Sequence, residues 1–293
     1  MRVPSGILLA LLLLVTGGCS GAAQDSPDAP DRSKATPAAA PVVADQLRAS
    51  LTQDRFAEGT RSVLAGVTNA SRRTVRITDA QVDWPGLSFP SVHLDESRIE
   101  PGETAAFTVE YDQARCDAPV QAAPRMQVRV DDRAMTLPLH VDIPGLLGRL
   151  RDDACAEQRL TSVASVQLRL SRTTEMVRGT EQLPAEVVVE RRPGSTAPVT
   201  IEDLAGSVLI SLSPRAGGGT LPASLSSGQD RLVLPVLLAS TGRCDGHARS
   251  QSSQTFLLGI FVRRGGDPVQ RVVQIPKRAE QERLLAMLDR VCG

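Results

Sequence analysis

The residues with the widest chemical range in this 293-residue chain are five cysteines, three histidines and two aspartates in a repeated setting. The cysteines are Cys19, Cys116, Cys155, Cys244 and Cys292, and no two stand in a Cys-x-x-Cys pair. No His-x-x-x-His spacing accompanies them, so the ligand pattern of a zinc site is missing. His93, His140 and His247 are scattered along the chain. No His-Glu-x-x-His helix and no Gly-x-Ser-x-Gly elbow occurs. The glycine run Ala216-Gly217-Gly218-Gly219-Thr220 lacks the lysine of a phosphate-binding loop and reads as an inter-strand loop. Asp117 and Asp245 each follow an Arg-Cys pair. An aspartate in such a place usually bonds the local backbone in a turn. These residues predict no catalytic site, no metal and no cofactor, and hence a protein that is not an enzyme.

The N-terminus has a different task. Arg2 is followed by the apolar run Ile7 to Val15 and then by Thr16-Gly17-Gly18-Cys19. That is the layout of a secretory signal. Nine apolar residues fall short of the roughly 20 needed to span a bilayer. The small residues ending at a cysteine resemble the lipobox of bacterial lipoproteins, with Thr16 where that class usually has Leu. The resemblance implies removal of residues 1–18, acylation of Cys19 and anchoring to the extracytoplasmic face of the cell membrane. Several acyl chains on that cysteine are implied, since one chain holds only marginally. Residues 19–42 contain Pro, Ala, Ser and Asp and are expected to form a disordered tether.

Composition fits a folded exported chain: 41% apolar and 23% charged residues are near the averages for soluble domains. The formal charge is zero, so no nucleic-acid footprint is indicated. Lys34 and Lys277 are the only lysines among 33 basic residues, and this arginine-rich, Ala- and Pro-rich usage resembles that of actinobacterial envelope proteins.

An ordered internal repeat decides the architecture. Gly59-Thr60 corresponds to Gly179-Thr180, and Val75 to Asp79 corresponds to Val199 to Asp203. Further on, Ser97 to Gly102 matches Ala223 to Gly228, and Arg115-Cys116-Asp117 matches Arg243-Cys244-Asp245. Ile143-Pro144 pairs with Ile275-Pro276, and Cys155 with Cys292. The offsets rise steadily from 120 to 137, as loop insertions in the second copy would produce. Within each copy, runs such as Phe107-Val109-Tyr111 and Leu232-Leu234-Val236-Leu238 alternate in the manner of half-buried strands. Met126 to Val130 and Ala134 to Leu137 form a predicted hairpin across Asp131-Asp132-Arg133, with a counterpart at Phe256 to Ile275. The expected fold is mainly β: two tandem immunoglobulin-like β-sandwich domains, 43–155 and 156–293. Each is expected to close with a helix beginning at proline (Pro144 to Cys155, Pro276 to Cys292). Trp84 is expected in the core or at its rim.

If Cys19 carries lipid, four cysteines remain, and these allow three connectivities. The repeat selects Cys116–Cys155 and Cys244–Cys292, because a duplicated domain should carry its bridge internally. The expected function is a membrane-anchored, non-enzymatic binding or structural module whose loops or strand edges meet another envelope protein. The alternative is a small-molecule or ion site at the junction of the domains, a favoured pocket position. A large apolar cleft would favour the alternative; an exposed apolar patch or an unprotected edge strand would favour the module.

Overall fold

The computed structural model describes residues 42–251 and 254–293; residues 1–41, with the signal, Cys19 and all of the tether but Val42, lie outside them. Val42 to Gly293 form one compact unit. It is mainly β, with sandwich-like sheets. The first half holds β1 (Leu47–Thr52), β2 (Ser62–Asn69), β3 (Val75–Asp83), β4 (Val92–Ile99), β5 (Thr104–Glu110), β6 (Arg125–Val130), β7 (Arg133–Val141) and helix α1 (Leu146–Thr161). The second holds β8 (Ala164–Leu170), β9 (Glu175–Val177), β10 (Thr180–Arg191), β11 (Val199–Ala205), β12 (Ile210–Pro214), β13 (Ala223–Leu225) and β14 (Arg231–Ser240). Helix α2 (Gly246–Gln251), β15 (Leu258–Arg264), β16 (Gln270–Gln274) and α3 (Arg278–Cys292) complete it.

The sequence repeat reappears as topology. In the first half β5-β2-β1 and β4-β3-β6-β7 run in that order, joined where β7 passes from β6 to β1. In the second half the corresponding strands run β14-β10-β8 and β13-β11-β15-β16. β9 and β12 are additions to the second half, beside β10 and β14. A register shift between Ile77 and Asp79 in β3 has its counterpart between Ile201 and Asp203 in β11. Such a bulge places an extra residue on one strand and sharpens the local twist. It recurs at matched positions of the two halves.

Each half has its own hydrophobic core. The first runs from Val42 to Cys155 and takes in Leu51, Ile77, Met126 and Leu137, with Trp84, Phe89 and Tyr111. Trp84 is 6% exposed, so it is a core residue. The second runs from Leu160 to Leu288 and is filled by Val, Leu, Ile, Ala and Met. Val42, expected in the tether, is 4% exposed and belongs to the first core.

Asp131 and Asp132, both in the left-handed region (φ +44° and +65°), connect β6 and β7. Two such residues form the tight hairpin whose twist matches that of its strands. Helix α1 departs from the expected end at Cys155. It continues through Ala156-Glu157-Gln158-Arg159, past the expected domain boundary, and ends at Thr161. These residues have good helix propensity and meet no breaker, so nothing local stops the helix. Leu147 and Leu150 lie in the first core and Leu160 in the second, so one helix serves both. The second hairpin also starts later than expected, at Leu258. Disulfides join Cys116 to Cys155 and Cys244 to Cys292, with Cα separations of 5.7 and 5.3 Å.

Candidate functional site

Two places come forward when the polar and uncovered groups are followed through the structure. The first is the junction of the halves, where a cavity of about 360 Å³ opens between α1, the segment around Gly59 and β16. Gly59 lets that segment approach closely. Its φ is +79°, and a Cβ there would meet Val273 at 3.2 and 3.3 Å. Gln53 is 7% exposed, and its amide donates to the carbonyls of Ala57 and Ser62, both at 3.3 Å. Its Oε1 accepts from Arg149 at 3.0 Å. Arg61 donates to the carbonyl of Asp112 at 2.8 Å and pairs with Glu157 at 3.0 Å. Arg271 donates to the carbonyl of Leu257 at 3.1 Å. Gln254 then crosses the junction to the carbonyl of Arg55 (3.0 Å) and to Glu58 (2.7 Å).

Burial pushes the Asp153 carboxyl up against the opposing influence of Arg149, and burial likewise raises the Tyr111 hydroxyl. Among the lining residues Arg61, Arg149 and Arg271 stand against Glu58, Asp153 and Glu157. The cavity is therefore polar and balanced in charge, and its arginines are engaged with neighbouring groups. It is not the large apolar cleft that a small-molecule site would call for.

The second place is the margin between β8 and β16. β8 pairs with β10 on one side and, among the described residues, with no strand on the other, whereas its counterpart β1 lies between β2 and β7. A cavity of about 510 Å³ lies along this margin, lined by Gln167 to Leu170 of β8 and by Gln274 to Lys277. Among the described residues no strand covers this edge, and only the Gln274 side chain meets its backbone, at Leu168 and Val166.

The residues singled out by chemistry do not gather. His93 lies against Asp79 at 3.1 Å, and this bond raises the imidazole and lowers the carboxyl; the histidine is 69% exposed. His140 faces Asp142 at 3.6 Å on another strand. Asp245 caps α2: its Oδ1 accepts from Ala248 N at 2.8 Å, which holds its carboxyl below the usual range. Asp117 sits in the turn that follows Cys116. The glycine run packs over Pro235, since a Cβ on Gly218 would come within 2.9 Å of that ring. Among the described residues no three His, Cys, Asp or Glu side chains form a metal-holding group. Sequence reasoning missed Gln53, Arg61, Arg149 and Gln274, which belong to no motif; Gly59, part of the repeat, and the domain boundary after Cys155 were the signals near the junction.

No family model matches the chain, and no curated protein does. Among solved structures, one is a protein of unknown function from Porphyromonas gingivalis W83, with 12% identity over 78% of this chain and 98% of that one and a TM-score of 0.21. Another is CBD12 from CALX1.2, with 9% identity over 75% and 79% of the two chains and a TM-score of 0.18. A third is the CsuC-CsuE chaperone-tip adhesion subunit pre-assembly complex of Acinetobacter baumannii, with 10% identity over 77% and 94% and a TM-score of 0.18. These low scores carry no argument about what the chain does.

Proposed function

We propose that this protein is a membrane-anchored lipoprotein of the cell envelope, held by lipid on Cys19, that acts as a non-enzymatic binding module. In this reading each half is an immunoglobulin-like sandwich domain, closed by its own helix and disulfide. The strand orders 5-2-1 and 4-3-6-7, repeated in the second half, support that assignment. The partner is another envelope protein. The observation that carries the reading is the edge of β8, which no strand covers among the described residues, because such an edge invites strand pairing and soluble proteins normally cover or blunt theirs. The polar, charge-balanced junction weighs against the alternative of a small-molecule or ion site there. Among the described residues no helix is long and apolar enough to cross a membrane.

Affinity capture with the lipidated chain as bait tests the reading. A defined envelope protein, retained after mild detergent extraction and recovered again with that protein as bait, is the expected result. Recovery of a small molecule alone, by native mass spectrometry of the purified protein, would transfer the function to the junction cavity.

A further inference from the structure

The two halves differ at one seam. In the first, β7 leaves β6 at Pro138 and runs beside β1, pairing Ala49 with Leu139 and Leu51 with Val141 in parallel. Beyond it the Asp142 amide donates to the carbonyl of Leu51 at 3.0 Å. In the second half β16 stays with β15 up to Gln274, the position equivalent to Asp142, and never crosses to β8. The Gln274 side chain crosses instead: its Oε1 accepts from the Leu168 amide at 3.1 Å, and its Nε2 donates to the carbonyl of Val166 at 3.4 Å. One primary amide thus supplies the donor and the acceptor that a neighbouring strand's peptide group would supply.

The rest of the seam is uncovered. Because Leu168 N points away from β10, the alternation of the ladder directs Leu170 N the same way, and among the described residues it has no partner. Below it, Val166, Leu168 and Leu170 are only half-buried against the second core, whereas Leu47, Ala49 and Leu51 of β1 are 4%, 3% and 0% exposed. Ile275 on the opposite lip is 50% exposed. What is missing on both counts, main-chain pairing and apolar cover, is what β7 provides in the first half.

We infer that the seam accepts one extended segment of a partner polypeptide, which adds to the free edge of β8 and displaces the Gln274 amide. Main-chain bonds to Leu168 and Leu170 supply the pairing, and an apolar side chain of the segment covers Leu168, Leu170 and Ile275. This is recognition by strand addition, in which the backbone gives affinity and alternate side chains give selectivity. The inference rests on the binding-module reading and names its ligand class.

The test is selection of random nine-residue segments, displayed on phage, against the mature chain, with an unrelated protein as control. Segments with alternating apolar residues should enrich and should slow hydrogen exchange of the Leu168 and Leu170 amides. Gln274→Ala should bind them about tenfold more tightly, because two bonds no longer have to be displaced. Leu170→Pro, which removes the outward N–H but none of the bonds to β10, should abolish binding; the exchange measurement on the unaltered chain stands if that variant misfolds. Selected segments that leave the Leu168 and Leu170 amides unchanged, or no enrichment over the control, overturn the inference. If affinity capture still recovers an envelope protein in that case, binding occurs elsewhere and the module reading survives; if neither succeeds, both fall.

Discussion

Replacing Leu160 by alanine separates the two cores most directly. Leu150 and Leu160 are each 3% exposed and lie on the same helix, but the first belongs to the first core and the second to the second. Ten helical residues span about 15 Å and turn through about 1,000°, which sets the two side chains about 80° apart around the axis, so they leave α1 at different heights and in different directions. Truncating a buried leucine to alanine costs about 3–4 kcal/mol, from lost transfer energy and the cavity left behind. For a half of this size such a loss lowers the midpoint of its own transition by about 10–15 °C. Hydrogen exchange read by mass spectrometry on peptides covering Val63–Val67 and Val187–Val189 resolves which half opens. Leu160→Ala should accelerate exchange in Val187–Val189 and leave Val63–Val67 almost unchanged; Leu150→Ala should do the reverse. Equal acceleration of both segments by Leu160→Ala would refute the argument, because it would mean that the two cores unfold as one.

Four further outcomes are expected. Replacing Cys244 and Cys292 by alanine opens a loop of 48 residues' separation; on the chain-entropy model this costs about 4 kcal/mol, read as a lower urea midpoint. Glu181, 15% exposed and bidentate with Arg290, is held down to about 2, first by the Arg290 hydrogen bonds and then by Thr174. A folded value below the unfolded one contributes stability above the ordinary glutamate range and loses it as pH falls toward 2, so the advantage over Glu181→Gln should be constant near neutrality and vanish at about pH 2 in acid titrations. Gly59→Ala should lower stability by more than about 1 kcal/mol in urea unfolding, since φ is +79° and the new methyl meets Val273. Cys19→Ser should release the protein from the membrane fraction or leave it unprocessed; full retention with normal cleavage would remove the lipid anchor from the proposed function.

The repeat made it readable in advance that the two halves share elements, because each matched pair ties one element to its counterpart, but the order of the strands in their sheets was not. Asp131-Asp132 announced its hairpin by turn chemistry, and the paired cysteines followed the duplication. The stop of α1 was not legible at Cys155, since helix ends are written by caps and breakers and none stands there. The junction was equally hidden: Gln53, Arg61 and Arg149 are distant in sequence and meet only through tertiary packing. Gln274 was invisible for a subtler reason. Its role depends on where β16 fails to go, and a strand that stays in its sheet leaves no mark on hydrophobic alternation.

The passage of α1 from one core to the other makes the helix a phase key between the halves. Each residue added between Cys155 and Leu160 would advance the second half by about 1.5 Å and rotate it by about 100°. A single insertion would thus carry Val273 away from Gly59, and Gln254 away from Glu58. Four inserted residues bring the rotation back to within about 40° of the original, with a lengthening of about 6 Å. The number of residues in this stretch therefore sets the register in which the two halves meet, beside the contacts that Glu157 makes with Arg61 and Gln158 with the carbonyl of Ala114.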